Sequence, residues 1–105
     1  MSFIGGKMNL NVRGIHFSVD QDTTDFLNKK LQKLDFAQDY LQDLDIVIKK
    51  ETSGQAVHLD AQLHFRWGTV KQVSYDSYEV FVGIEMLVDK IESVTKKEKS
   101  KVIEK

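Results

Sequence analysis

The feature that most constrains this chain is a long stretch of strict alternation. Val57, Leu59, Ala61, Leu63, Phe65 and Trp67 are apolar, and His58, Asp60, Gln62, His64 and Arg66 between them are polar. Only an extended strand sends successive side chains to opposite faces, so this pattern requires a sheet with one dry face and one wet face. A dry face must be covered, and in one short chain the cover has to come from the chain itself.

The remaining segments supply that cover. Leu10-Asn-Val-Arg13 alternates and stops at Gly14, as a short first strand would. Asp20 is placed as the N-cap of a helix running to about Leu34 or Ala37, with Phe26, Leu27, Leu31 and Leu34 in one stripe. Asp35, Asp39, Asp43 and Asp45 then form an acidic connection studded with Phe36, Tyr40, Leu41 and Leu44. Asp45–Lys50 is the second strand, closed by a Thr52-Ser-Gly54 turn. Gly68 and Thr69 turn the chain into a fourth strand, Val70–Tyr75. Asp76 and Glu79 are spaced as a capping box, with Asp in place of Ser or Thr. A long helix follows, carrying Val80, Phe81, Ile84, Leu87, Val88, Ile91, Val94 and Val102 on one stripe, with no proline to break it.

The order is β-α-β-β-β-α. The expected fold is α+β, a four-stranded, mostly antiparallel sheet with two helices packed on one face. Its core would hold Val57, Leu59, Leu63, Phe65, Phe26, Leu34, Ile84, Leu87 and Ile91. A chain of 105 residues is one domain, read as 8–105 with residues 1–7 as an N-terminal extension.

Several chemistries are excluded by what these residues cannot build. With no cysteine there is no disulfide, thiolate metal site or cysteine nucleophile, which also suits a reducing compartment. No apolar run approaches the roughly 18 residues that cross a bilayer, so the expectation is a cytoplasmic protein without a membrane partner. His58, Asp60 and His64 share a strand face, but at 3.3 Å per residue the two histidines lie roughly 20 Å apart, too far to close on one metal ion. The glycines are scattered rather than gathered in a phosphate loop, and no nucleophile has a base and an orienting group in evident reach. No catalytic residue, metal or cofactor is expected.

Charge is more informative in its distribution than in its total. The chain has net charge −1, yet residues 89–105 hold six lysines against four acids, net +2, leaving −3 for residues 1–88. Lys29, Lys30 and Lys33 cluster on one flank of the first helix. Lys90, Lys97 and Lys101 fall in a narrow wedge of the second, because spacings of seven and eleven return to nearly the same azimuth, while Lys96 and Lys99 point elsewhere. Two such flanks on one side of a sheet could form a groove for phosphates, read by shape rather than by base. On the residues alone, lysines snorkelling past the edge of a core are the better account. Arg13, Lys49 and Arg66 add cations to the wet sheet face.

The whole pattern resembles the ribosome hibernation promoting factor family, including the related ribosome-associated translation inhibitors. The resemblance runs from Met8 to about Lys101. It rests on the strand Met8-Asn-Leu-Asn-Val12, a helix with Phe26-x-x-x-Lys30-x-x-Lys33-Leu34, and the strand Ile46-Val-Ile48. It is completed by Glu79-Val-Phe-Val-Gly-Ile84-x-x-Leu87-x-x-Lys90-Ile91 followed by Lys97 and Lys99. It departs at Ser93-Val94-Thr95, where members usually carry a basic residue, a glutamine and an apolar residue. The resemblance implies a fold similar to a double-stranded-RNA-binding domain. It implies a partner in the small ribosomal subunit and its ribosomal RNA, bound where messenger and transfer RNA would sit, with inhibition of translation by steric exclusion. The RNA contacts would be Lys29, Lys30, Lys33, Lys90, Lys97, Lys99 and Lys101, with Arg13, Lys49 and Arg66. Length from Met8 matches the short type, expected to be a monomer off the ribosome and to pair ribosomes in stationary phase or stress with a second small ribosome-modulating protein.

Two other readings stay open. A general structured-RNA binder would use the same lysines, although double-stranded-RNA-binding domains usually lack a leading strand. A protein-interaction module would instead dock through the aromatic and acidic segment 36–45.

Overall fold

The computed structural model describes residues 8–103, so the extension at 1–7 and Lys105 lie outside the described residues. Its elements are β1 (Asn9–Ile15), α1 (Gln21–Leu31), a 3-10 segment (Gln32–Asp39), β2 (Leu41–Lys50), β3 (Val57–Phe65), β4 (Val70–Ser77) and α2 (Val80–Ile103). The strands form one sheet in the order β1-β2-β3-β4. β1 and β2 run parallel through the crossover α1, and the other two pairs are antiparallel. α2 lies on β3 and β4, the 3-10 segment lies on β2, and α1 leans on α2. The α+β order expected from the alternation is therefore the observed one.

β3 positions everything else. Val57, Leu59, Ala61, Leu63 and Phe65 are buried on one side, where they meet Ile84, Leu87, Val88 and Ile91 of α2. Gly83 is what lets the helix lie so close: a Cβ there would come within 2.6 Å of a Leu59 methyl. All of the expected core residues are buried except Phe26, which is half-buried and stacks on Phe81, itself 41% exposed. Phe81 thus leaves the stripe for the surface, and the side chain of Val102 lies outside the described residues.

Local structure departs from expectation at five places. β1 continues through Gly14, where a Cβ would run into the Phe17 carbonyl oxygen, and the chain turns at His16 with φ 55°. Asp20 caps α1 by accepting from the Thr23 N–H at 2.9 Å. That helix ends at Leu31, however, and tightens into the 3-10 segment, where three residues per turn keep Leu31, Leu34 and Ala37 on one buried line. The acidic connection is partly strand: β2 starts at Leu41, with a register shift between Leu41 and Asp43, and it buries Leu41 and Leu44. Trp67 leaves β3 for the turn into β4, which Gly68 closes at φ 93°. Lastly, Asp76 remains in β4 and does not cap α2. The Glu79 N–H instead donates to Ser77 Oγ at 3.0 Å.

Candidate nucleic-acid interface

α2 has two flanks and two halves, and its neighbours decide what each offers. One flank faces α1. There Lys30 Nζ meets Glu85 at 3.2 Å, and Lys33 Nζ pairs with Asp89 and reaches Glu92 at 3.9 Å. The hydrogen bond to Asp89 holds the Lys33 ammonium above its ordinary pKa, with Glu92 and Glu85 adding to the effect. The sequence-predicted lysine flank, Lys30 in α1 and Lys33 in the 3-10 segment, is therefore turned to the carboxylates of α2. Lys29 stands exposed in the last turn of α1.

The opposite flank faces β4. Lys90 donates to the Ser74 carbonyl at 2.9 Å and sits 5.5 Å above the centre of the Tyr75 ring. Lys97 and Lys101, on the same azimuth, are exposed. Below them the buried Glu98 carboxylate accepts Lys101 at 3.3 Å and Lys71 of β4 at 3.7 Å, one anion shared by two cations. The two lysine flanks read from the sequence thus border different sides of α2 and do not share a groove, because α2's acidic side lies between them.

The last turns of α2 reach a third environment. Lys96 and Lys99 lie over Phe36 and Tyr40, with Nζ 5.9 and 5.5 Å from the ring centres. Lys96 also meets Glu92 at 3.6 Å. Arg66 belongs to this corner and not to the open sheet face, because the β3–β4 turn carries it round to donate to the Gln38 carbonyl at 3.0 Å. Lys71 escaped the sequence reading, as did the meeting of Trp67 with the aromatic segment of Phe36 and Tyr40 that the sequence had marked as a docking surface. Lys71 showed no pattern on a short strand, and Trp67 kept the parity of the strand it had already left.

Arg13 and Lys49 do lie on the open face of the sheet, among Asp43, Asp45, Asp60 and Asp76. Asn9 and Asn11 donate to Asp43 and Asp45 at 3.0 and 2.9 Å. His64 stands 3.8 Å from Asp45. His58 is held between Asp76 and Glu51, the latter at 2.5 Å, and Asp76 foremost raises its pKa. This face carries more carboxylates than cations, which disfavours phosphate. Carboxylates bound to opposite ring nitrogens of His58 do not converge on one point, and among the described residues no group of side chains is arranged to hold a metal ion. No described helix is long and apolar enough to cross a membrane.

Comparison with known proteins adds to this geometry. The model of the Sigma 54 modulation protein / S30EA ribosomal protein family matches residues 10–103. A ribosome hibernation promoting factor of Klebsiella oxytoca is 30% identical over 95 residues, covering 90% of this chain and 97% of that protein. One of Pseudomonas putida is 28% identical over 94 residues, covering 90% and 89%. Among solved structures, a ribosomal subunit interface protein from Coxiella burnetii superposes with a TM-score of 0.77 at 17% identity, covering 89% of this chain and 99% of that one. The Thermus thermophilus Protein Y N-terminal domain superposes with a TM-score of 0.72 at 23% identity, covering 86% and 98%.

Proposed function

The chain belongs to the Sigma 54 modulation protein / S30EA ribosomal protein family, and from that premise we propose that it is a ribosome hibernation factor of the cytoplasm. Ribosome-associated regulation of translation is the family's field and this chain's. In the finer reading, the protein occupies the messenger and transfer RNA channel of the small subunit and blocks translation by filling it, without chemistry.

The observation that carries this reading is the lysine-rich C-terminal half of α2. Lys96, Lys97, Lys99 and Lys101 crowd this half, Lys90 precedes it on the flank that faces β4, and Lys71 of β4 stands beside it. Such a surface follows phosphate oxygens by charge and shape, with affinity that falls steeply with salt. Lys30 and Lys33 join the contact only by exchanging their α2 carboxylates for phosphate. Lys29, Arg13, Lys49 and Arg66 are then peripheral contacts.

Competition tests the reading directly. Small subunits programmed with a labelled messenger fragment and transfer RNA should lose both as the protein is added, in proportion to its binding. Simultaneous, undisturbed binding of all three would place the protein outside the channel. Ribosome pairing, with a second small ribosome-modulating protein, is the further part of the proposal. It would show as a paired-ribosome peak in sucrose gradients only when both factors are present.

A further inference from the structure

The aromatic corner at the end of α2 has a chemistry that phosphate binding does not use. Phe36, Tyr40 and Trp67 form a chain of rings, with centroids 6.5 and 6.3 Å apart and planes tilted by 58° and 59°. All three are half-buried, so solvent reaches each of them. Trp67 is backed by Phe65, stacked at 5.0 Å and 17°.

The corner is built rather than incidental. Two separate segments meet there through a backbone bond, the Arg66 N–H donating to the Tyr40 carbonyl at 2.9 Å, and the end of the 3-10 segment is closed by the Tyr40 N–H donating to the Ala37 carbonyl at 2.9 Å. The turn itself is closed by Gly68 N–H to the Phe65 carbonyl at 3.0 Å and Phe65 N–H to the Thr69 carbonyl at 2.9 Å. Rings held this way lose little freedom on binding.

Cations surround the rings. Lys96 and Lys99 stand over Phe36 and Tyr40, and Arg66 flanks Trp67 in sequence. Of the carboxylates nearby, Asp35 is engaged by Gln38 and Glu92 by Lys33 and Lys96, while Asp39 ends the 3-10 segment. The Trp67 indole N–H is buried with no hydrogen-bond partner. Ring faces interleaved with flexible cations suit an unpaired nucleotide, whose base stacks while its phosphate takes the ammonium. Base paired within a duplex, the same nucleotide offers its phosphate but not its ring face.

The geometry points to the Phe36–Tyr40–Trp67 corner, with Lys96, Lys99 and Arg66, as a stacking site for an unpaired base of single-stranded RNA. A long lysine leaves its ring for the phosphate, and the vacated face takes the base. This inference rests on the reading of the protein as an RNA-binding ribosome factor and names the kind of RNA that one part of its surface takes.

Trp67 is the single tryptophan of the chain, so its emission reports on this corner alone. The full-length protein is titrated with a short unstructured oligoribonucleotide, with the same strand lacking its bases, and with an RNA duplex of equal length. The base-bearing single strand should quench Trp67, and the other two should not. Equal responses to the base-bearing and baseless strands, or none to either, overturn the inference. Trp67→Ala should weaken binding of the labelled single strand about tenfold, within the range of losing one stacked base. Trp67→Phe should retain it. Lys96→Gln with Lys99→Gln, both away from the core, should weaken the single strand without unfolding the chain, and an unchanged affinity counts against the site. Pelleting with ribosomes separates the two readings. A parent that pellets while Trp67 ignores the single strand sinks the stacking site alone. A parent that never pellets sinks the ribosome reading, whatever Trp67 reports.

Discussion

The two halves of α2 bury one continuous line against the sheet and present opposite surfaces to the world. The N-terminal half buries Ile84, Leu87, Val88 and Ile91, and outside it shows Glu85 and Asp89 beside Val82, 48% exposed, and Met86. The C-terminal half continues the buried line with Thr95 and Glu98, and outside it shows Lys96, Lys97, Lys99 and Lys101. Lys101, in the last turn, also suits the helix dipole. The lesson lies in the partners. Lys30 of α1 and Lys33 of the 3-10 segment pair with the acidic half, and the aromatic corner and Lys71 gather around the basic half. Packing thus sharpens a charge difference that the helix already carries, with one half serving the fold and the other left for a ligand.

The largest expected effect breaks this comparison if it fails. Changing Lys90, Lys97, Lys99 and Lys101 together to Gln should remove most ribosome affinity and flatten the log–log salt dependence by roughly three units, at about 0.7–0.9 per phosphate contact. Changing Lys29, Lys30 and Lys33 to Gln should cost clearly less, since two of these already have carboxylate partners. Equal losses in pelleting across a salt series would mean that the two flanks work as one.

The next effect concerns the fold-serving half. Leu87→Ala should cost about 2–5 kcal/mol in urea denaturation, because Leu87 is fully buried and the cavity collapses only partly. A loss below about 0.5 kcal/mol would be that of a surface site.

In the other half the sign should reverse. Thr95 is fully buried with its hydroxyl unpaired, so Thr95→Val should stabilise by about 1 kcal/mol in the same assay. Destabilisation would mean that the hydroxyl has a partner in solution.

The smallest effect is a pH dependence in the strands that lead into the acidic half. The folded-state pKa of His58 is raised by Asp76 and Glu51. Its stabilisation is therefore complete below the ordinary imidazole range near 6.5, and it is lost as pH rises through the raised value. The melting temperature should fall across that window in the parent, and His58→Gln should flatten the fall. A parent with no such fall would show that the clamp does not hold in solution.

Much of this molecule is legible one element at a time. The alternation from Val57 made a strand with one dry face unavoidable, because no other backbone geometry separates those residues. The stripe from Ile84 to Ile91 made α2 its cover, Asp20 marked the start of α1, and the lysine wedge of α2 follows from azimuth alone. Each of these depends on periodicity within a single segment. The 3-10 segment was hidden because Leu31 and Leu34 fit a helix of 3.6 residues per turn as well as one of three. Trp67 was misplaced because alternation carries no mark of the residue at which a strand bends into its turn.

What the sequence could not hold is how separate segments face one another. Which acids meet Lys30 and Lys33 depends on how α1 lies against α2, and the gathering of Phe36, Tyr40 and Trp67 depends on the β3–β4 turn folding back on the 3-10 segment. Spacing along a chain sets directions within an element, and only packing brings two elements' directions together.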